Sequence, residues 1–506
     1  MIKSLYDGAL RRLFLWIAVT LATVMLAACT SQASIVADRS PRQKPVISIM
    51  APLHFPNAPS KEVMDKLEGL TGVQLDITWV GDGIYTDKMY TALSTGSLKN
   101  VTFIKHTDYM MVKNAIRDEA FWEIGPYLER FPNLRHLDDR ILNQAAVDGR
   151  IYGLYTERPS SRQGIILRED WLDKLGLPKP STLDELYETL RQFTTMDPDD
   201  NGIDDTIGLT DRNDLVYGAF KTLSSYFGAP NNWGVGENGV FPEFDTAAYR
   251  NTMDFMKRLY DEGLMNADFA VASKDIQRYQ IITGAAGAYI GSMTDVQRIQ
   301  DEARELNPSA RFTLVNRIAG PDGFRVWSIP NYNGLYLFSK KAIKTEEELL
   351  QHLAFFDRTM DKEVANLLRF GIEDVHYKQI NGLVRLSEET TQLRVNEVNA
   401  LYALMIADVS NPNIMKVEKQ EYMLEQAERL SADNEKFIVN DPTLGLDSKT
   451  YDEKSPGLYK IIRDATYKYM LGQLSPEGFD AEVARWKRSG GEDMMKEYSE
   501  AYFGQD

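Results

Sequence analysis

The sequence predicts an α/β fold with two lobes and a helix-rich C-terminal part. Its 506 residues exceed the roughly 250–300 residues that one hydrophobic core usually supports, so two lobes are expected. Beyond residue 44 the chain alternates strand-like and helix-like segments, which is typical of parallel βαβ units. From Thr345 onward helical periodicity prevails.

The composition is that of an ordinary globular chain with an excess of acidic residues. Hydrophobic residues make up 43% of it, and the formal net charge is −17. This charge disfavours binding to a nucleic-acid backbone or to an anionic membrane surface. The single cysteine, Cys29, cannot form an intramolecular disulfide, so its position needs another explanation.

The N-terminal segment has the pattern of a secretory signal peptide. Lys3, Arg11 and Arg12 form a basic start, and residues 13–28 follow without a charge. These 16 residues are short for a membrane span, which needs about 20, but they match the apolar core of a signal peptide. We therefore assign residues 1–28 to a signal peptide, with an uncleaved membrane anchor as the alternative.

The cysteine follows this segment directly. The run Leu26-Ala27-Ala28-Cys29 resembles the bacterial lipobox, in which the cysteine receives a diacylglyceryl lipid and becomes the mature N-terminus. The resemblance implies a palmitate-bearing lipoprotein with Cys29 as its lipidation site, held on the extracellular face of the cell membrane. Residues 29–43 are polar and rich in Ser, Ala and Arg, which predicts a flexible tether.

The first structured segments predict parallel strands joined by helices. Residues 46–50 are β-rich, residues 73–80 alternate like a strand, and residues 101–104 form a third strand. Between them, Ser60 can cap one helix and residues 87–93 predict another. Ligands of such sheets tend to bind beyond the carboxyl ends of the strands.

Further along, helices are the clearest elements. Thr182 caps a predicted helix, and residues 246–262 predict a second one that ends at Gly263. The small residues at 284–291 indicate a buried strand or crossover. Residues 346–360 and 459–471 are predicted helices of the C-terminal part, as their periodicity suggests.

An acidic loop follows the helix capped by Thr182. Its spacing of oxygen-bearing residues suits calcium, and Gly202 allows the sharp turn that such loops need. Position 12 is Gly208, so the bidentate glutamate of an EF-hand is missing. An acidic surface turn is the alternative to a structural calcium site. The candidate metal ligands are Asp197, Asp199, Asn201, Asp205 and the carbonyl oxygen of Ile203.

No catalytic constellation stands out in the sequence. It contains no G-x-S-x-G, no P-loop and no H-E-x-x-H, and its five histidines are scattered. A pair of carboxylates could still act as in a glycosidase, because 74 acidic residues make such pairs easy to form. We predict that the protein is not an enzyme.

Aromatic and polar residues concentrate in two loop segments. Residues 226–233 contain Tyr226, Asn232 and Trp233, while Trp327 and Tyr332 lie near a second cluster. Sugars present apolar C–H faces that rest on aromatic rings, and their hydroxyl groups need polar partners. The five residues are therefore candidate ligand contacts, although for any single ring ordinary core packing is the more common explanation.

Several segments form one ordered set of motifs along the chain. They are residues 167–177, 180–186, the acidic loop that begins at Asp197, 227–230 with Trp233, 259–264, 371–377 and 457–503. Together they resemble the extracellular solute-binding proteins of bacterial ABC importers. The similarity is to the long lipoprotein type of Bacillus and Paenibacillus, itself similar to alginate-binding proteins, and it covers essentially the whole mature chain.

This resemblance implies a two-lobed periplasmic-binding-protein fold with hinge-linked domains and an oligosaccharide held between them. It implies calcium in the acidic loop, although Thr206 stands where the alginate binders have an acid. The partners would be an oligosaccharide and ABC permease subunits in the membrane, with the protein itself a monomer. Arg162 is a candidate partner for an acidic sugar.

We expect residues 44–155 and 284–345 to form one lobe, and residues 156–283 and 346–506 the other. The predicted function is capture of an oligosaccharide or modified sugar in the cleft between the lobes and its delivery to the permease. A secreted glycosidase or lyase and a peptide-binding or sensory lipoprotein are the alternatives.

Overall fold

The computed structural model describes residues 44–418 and 421–504. The predicted signal peptide, Cys29 and the tether as far as residue 43 lie outside the described residues. Within those two ranges, no helix combines the length and the apolar character that crossing a membrane requires.

The first lobe is built on a five-stranded sheet. Val46–Leu53 pairs in parallel with strands on both sides, which confirms the predicted βαβ units. Tyr332–Phe338 enters the same sheet antiparallel to both of its neighbours. The strands follow one another across the sheet in the order Gln74–Gly81, Val46–Leu53, Val101–Lys105, Tyr332–Phe338 and Gly153–Glu157.

Helices cover this sheet, and their starts follow local sequence rules. The Ser60 side chain accepts a hydrogen bond from the Val63 N–H at 3.4 Å, as its capping position predicts. The helices of the first lobe are Lys61–Thr71, Asp82–Thr95, His106–Arg117, Asp139–Gln144, Glu346–Thr359, Lys362–Phe370 and Glu388–Glu397.

The second lobe is built on a four-stranded sheet. Its strands are, in order across the sheet, Phe312–Val315, Gln163–Arg168, Ala286–Ser292 and Ile207–Thr210. The predicted small-residue strand at 284–291 is therefore confirmed. Gly287 of this strand must be a glycine, because a Cβ at that position would lie 2.2 Å from the Phe193 ring and 2.8 Å from the Trp171 ring. Small residues thus let a helix pack directly against the sheet.

The second lobe carries the larger share of helices, among them the C-terminal ones. The side chain of Thr182 accepts a hydrogen bond from the Glu185 N–H at 3.2 Å, as predicted. The helices are Glu169–Leu175, Leu183–Thr195, Ala219–Tyr226, Ala247–Asp261, Lys274–Thr283, Val296–Leu306, Tyr422–Asn434, Lys449–Met470, Pro476–Trp486 and Glu492–Phe503.

Short two-stranded ladders complete the structure. Val326–Trp327 and Ile438–Val439 pair in parallel, so they tie a segment between the lobes to the C-terminal part. The remaining ladders join Trp233–Gly236 with Gly239–Pro242, Ala319–Gly320 with Gly323–Phe324, and Lys378–Ile380 with Leu383–Arg385.

The buried residues divide the chain differently from the expected lobe boundaries. One core draws on residues 47–155 and 332–407, and the other cores that surround the second sheet draw on residues 165–318 and 423–498. Residues 284–318 thus belong to the second lobe, and residues 346–407 to the first. The reason is long-range pairing: Ala286–Ser292 hydrogen-bonds to Gln163–Arg168, while Phe356 packs against Tyr336 at 4.9 Å between ring centroids.

Candidate ligand-binding cleft

A cavity of about 490 Å³ lies where the two lobes meet. Its size is within the range of roughly 300–1,000 Å³ that is usual for ligand sites, and domain interfaces are a preferred location for such sites. The first lobe contributes Tyr109, Lys113 and Tyr332 to its lining, and the Tyr109 and Tyr332 rings meet edge-on at 6.4 Å.

The second lobe contributes a wall of aromatic rings. Trp233 is the centre of this wall, because its ring lies 5.0 Å from Tyr498 and 6.2 Å from Trp486. Phe244 extends the wall, with its ring centroid 4.8 Å from that of Trp486. Contacts of this kind fix the orientation of each ring.

A connected polar group lies beside the aromatic wall. The Lys221 ammonium donates to the Asn232 side-chain oxygen at 2.8 Å and forms an ion pair with Glu243. The Asn232 amide donates in turn to Asp441 at 2.8 Å, and burial raises the pKa of the Asp441 carboxyl. Asn232 holds a left-handed conformation, with φ of 58°, which asparagine tolerates better than most residues. The group is therefore ordered before any ligand arrives.

The cavity brings together three of the predicted contact residues, Asn232, Trp233 and Tyr332. Two others do not line it. Tyr226 is fully buried in the core of the second lobe. Trp327 is 3% exposed and donates its indole N–H to the Thr222 hydroxyl at 3.1 Å. Both rings are packed inside the protein.

Most of the lining could not be found from the sequence. Phe220, Glu243, Asp441, Trp486 and Tyr498 are scattered over 279 positions of the chain, and each stands in an ordinary amphipathic or loop context. Each of them brings either an aromatic ring or a carboxylate to the cavity. Only the fold makes that neighbourhood visible.

Arg162 lies outside the lining of this cavity, in a neighbouring cluster. Arg162 and Arg158 lie on the same segment, which links Gly153–Glu157 to Gln163–Arg168. Arg158 is only 6% exposed. From the second lobe, the Tyr217 hydroxyl lies 3.3 Å from the His106 ring of the first lobe. Burial and the charges of Arg158 and Arg162 lower the pKa of His106 to about 3. The cluster is thus positively charged.

Ion pairs also join the lobes beside the cavity. Lys113, on a helix of the first lobe, contacts Asp447 of the second lobe at 2.9 Å. Arg117, one turn further along, contacts Asp447 at 3.0 Å and Asp452 at 2.7 Å. The Lys113 and Asp452 side chains are 6% and 3% exposed, so these contacts are largely shielded from water.

The acidic loop lies at the surface of the second lobe. The Asn201 amide donates to Asp199 at 2.8 Å and to Asp205 at 3.3 Å, so three candidate ligands approach one point. Asp197 accepts the Asn201 and Gly202 N–H groups at 3.2 and 3.1 Å. These carboxylate and amide oxygens are of the kind that calcium prefers.

The set falls short of a full calcium cage. Thr206 is buried, and its hydroxyl donates to the Phe193 carbonyl at 2.8 Å. A Cβ on Gly208 would lie 2.4 Å from the Leu190 carbonyl oxygen, so no acid fits there. Among residues 44–418 and 421–504, no group of three or more His, Cys, Asp or Glu side chains is placed to hold a metal ion. The donors suit calcium in kind but are few in number.

Similarity to characterised proteins identifies the family. No family model matches the chain. A polygalacturonan/rhamnogalacturonan-binding protein of Bacillus subtilis, YtcQ, is 42% identical over 485 residues, which are 94% of this chain and 96% of that protein. The lipoprotein LipO of the same organism is 34% identical over 96% of this chain and 98% of its own length. The chain belongs to the solute-binding proteins of bacterial ABC carbohydrate importers.

Solved structures agree with this solute-binding family in fold. An HMO-binding, ABC-transporter-associated solute-binding protein of Bifidobacterium longum infantis superposes with a TM-score of 0.72 at 17% identity, covering 91% of this chain and 98% of that one. The alginate-binding protein AlgQ2, solved without calcium ion, gives a TM-score of 0.66 at 17% identity over 91% and 98%. The two-lobed fold that the sequence predicts is thus confirmed.

The neutral His106 ring makes stability depend on pH. The unfolded chain takes up a proton near pH 6.5, whereas the folded protein does so only near pH 3. Between these values the unfolded state binds more protons, so stability falls with falling pH, by up to about 1.4 kcal/mol per unit from this group. We expect His106→Gln to lose this contribution. Its free energy of unfolding, measured with urea between about pH 4 and 6.5, should fall less steeply with falling pH than that of the wild type.

The exposed His136→Gln serves as the control for removal of a histidine. Equal slopes for His106→Gln and the wild type would contradict the prediction, because they would mean that the folded protein does not hold the His106 ring neutral.

Proposed function

We propose that the protein is an extracellular, lipid-anchored substrate-binding protein that captures an oligosaccharide between its lobes and delivers it to ABC permease subunits. It acts as a monomer and without catalysis. The observation that carries this proposal is the aromatic cavity at the junction of the two lobes. Membership in the solute-binding family supports it.

The lining of the cavity suits a sugar chemically. The Trp233 ring is 7% exposed, and the part that lines the cavity is an apolar surface that suits the C–H groups of a pyranose. Lys221, Asn232 and Asp441 offer donors and acceptors for hydroxyl groups from positions that are already fixed by hydrogen bonds to one another. Because these groups are ordered in advance, binding costs less conformational entropy.

We further propose that the oligosaccharide is derived from pectin. The support is the 42% identity to YtcQ, whose name gives polygalacturonan and rhamnogalacturonan as its ligands. A net charge of −17 does not favour an anionic ligand at long range, so such a ligand needs cations inside the cleft.

Isothermal titration calorimetry with galacturonan and rhamnogalacturonan oligosaccharides tests the proposal. We expect Trp233→Ala to weaken binding by about tenfold or more, because the stacking face is lost. Asn232→Gly should do the same while tolerating the left-handed backbone. Val235→Ala is the matched control, since Val235 lies in the same hairpin but is not part of the cavity lining.

Two results would contradict the proposed function. Tight binding of peptides without binding of any glycan would indicate a peptide-binding or sensory lipoprotein. Turnover of a polysaccharide by the purified protein would indicate a glycosidase or lyase.

For the acidic loop, we propose weak calcium binding by Asp197, Asp199, Asn201, Asp205 and the Ile203 carbonyl. The relatives support this: one structure of FusA from Streptococcus pneumoniae is described as an EF-hand mutant, and AlgQ2 was solved without calcium ion. The missing donors at Thr206 and Gly208 lead us to expect affinity in the millimolar range, as in other extracellular calcium modules.

Thermal unfolding after chelation tests the loop. Millimolar calcium should raise the melting temperature by about 2 °C or more, and magnesium should not. Asp199→Ala should abolish the effect, whereas Asp204→Ala should preserve it, because Asp204 is an exposed acid of the same loop that is not a candidate ligand. An equal rise in both variants would refute the site.

For the membrane attachment, we propose lipidation of Cys29, which the name of the relative LipO supports. Metabolic labelling with radioactive palmitate should mark the wild-type protein, whereas Cys29→Ser should remain unlabelled and appear in the medium. Ser31→Ala, two residues further on, is the control and should keep the label. Labelled Cys29→Ser would contradict the assignment.

A further inference from the structure

Two arginines beside the cavity lack the partners that buried cations normally have. Arg158 is 6% exposed; its Nε donates to the Pro330 carbonyl at 2.8 Å, but its Nη2 is buried without a hydrogen bond. The Nε of Arg162 is likewise buried and unbonded. Within the described ranges neither guanidinium forms an ion pair with a carboxylate. A buried cation without a carboxylate is costly to maintain.

Two tyrosines and a histidine lie beside this pair. Tyr217, Tyr332 and Arg162 are the neighbours that act electrostatically on Arg158. The nearby His106 ring is held neutral by burial and by the two guanidinium charges. The two guanidinium groups thus concentrate positive charge on the linking segment, where the Glu435 carboxylate also accepts the Ser160 hydroxyl at 3.1 Å.

The pair also adjoins the cavity. Tyr332, which interacts with Arg158, lines the cavity itself. So do Thr107, the residue after His106, and Val216, the residue before Tyr217. A ligand lying against Tyr332 can thus extend toward the guanidinium groups.

We propose that Arg158 and Arg162 form a carboxylate-binding subsite that selects oligosaccharides containing a uronic acid. A guanidinium presents paired N–H groups in a plane, which match the two oxygens of a carboxylate. This inference rests on the proposed function, since it names the groups that recognise the acid of the bound sugar. The segment that links the lobes would then be the part of the protein that distinguishes acidic from neutral sugars.

The position of the subsite gives a bound carboxylate a second effect. Arg158 and Arg162 lie on the linking segment, where His106 of the first lobe meets Tyr217 of the second. A carboxylate between the guanidinium groups cancels their mutual repulsion at this junction. The acid is therefore bound most tightly when both lobes surround it, which favours the closed arrangement.

Calorimetry on the full mature protein, with trigalacturonic acid and its fully methyl-esterified form as probes, tests the subsite. The wild type should prefer the acid, and rising salt should reduce this preference. Arg158→Gln and Arg162→Gln should each weaken binding of the acid by about 10- to 100-fold and leave binding of the ester within about twofold. Arg158→Lys keeps the charge but loses the paired N–H groups, so it should recover only part of the affinity.

Arg394→Gln is the matched control. Arg394 is a half-buried arginine that stacks on the Phe370 ring and donates to the Arg369 carbonyl, and it is not part of the cavity lining. Both affinities should stay at the wild-type level in this variant. The melting temperatures of Arg158→Gln and Arg162→Gln should equal or exceed that of the wild type, because each variant removes a buried cation that no carboxylate neutralises.

The possible failures are distinguishable. Equal affinity of the wild type for the acid and the ester, or acid binding that survives Arg158→Gln and Arg162→Gln unchanged, would overturn the subsite while leaving the proposed function intact. Binding of neither probe, with no other glycan bound, would overturn both. The salt dependence of the wild type provides a readout that does not depend on whether any variant folds.

Discussion

The antiparallel pairing of Tyr332–Phe338 inside the first sheet is the constraint on which the rest of the structure depends. The strand lies between Val101–Lys105 and Gly153–Glu157, and its residues from Leu335 to Phe338 are fully buried. Because it returns the chain to the first sheet after all four strands of the second sheet, the two sheets are connected on both sides of this crossing and the lobes lie next to each other. Tyr332, at the start of this strand, is thereby held at the cavity.

Local elements of the fold were predictable because local chemistry determines them. The caps at Ser60 and Thr182 and the small-residue strand Ala286–Ser292 all follow from neighbouring residues. The buried cores divide the chain at other positions than the expected lobe boundaries, because the cores depend on pairing between distant segments. Nothing in residues 284–318 indicates which of two sheets they join, and helices of either lobe have the same amphipathic pattern.

The residues of the site also differ in how far the sequence reveals them. A loop that combines Asn232 and Trp233 is recognisable, since it places an aromatic ring beside a polar group in a turn. Tyr226 and Trp327 have the same composition around them but face the core, because helix and strand geometry decides which way a side chain points. Trp486 and Tyr498 reach the cavity from C-terminal helices, and this proximity exists only once the chain has folded.

The ion pairs between Lys113 or Arg117 and Asp447 or Asp452 have a consequence for how the molecule behaves when it is empty. These contacts involve no ligand atom, so the protein's own charges already hold the two lobes together. The unliganded protein therefore already has an electrostatic preference for this arrangement of the lobes, to which the contacts of a bound ligand would add. Any separation of the lobes must break these ion pairs as well as the contacts that a ligand makes with both sides of the cavity.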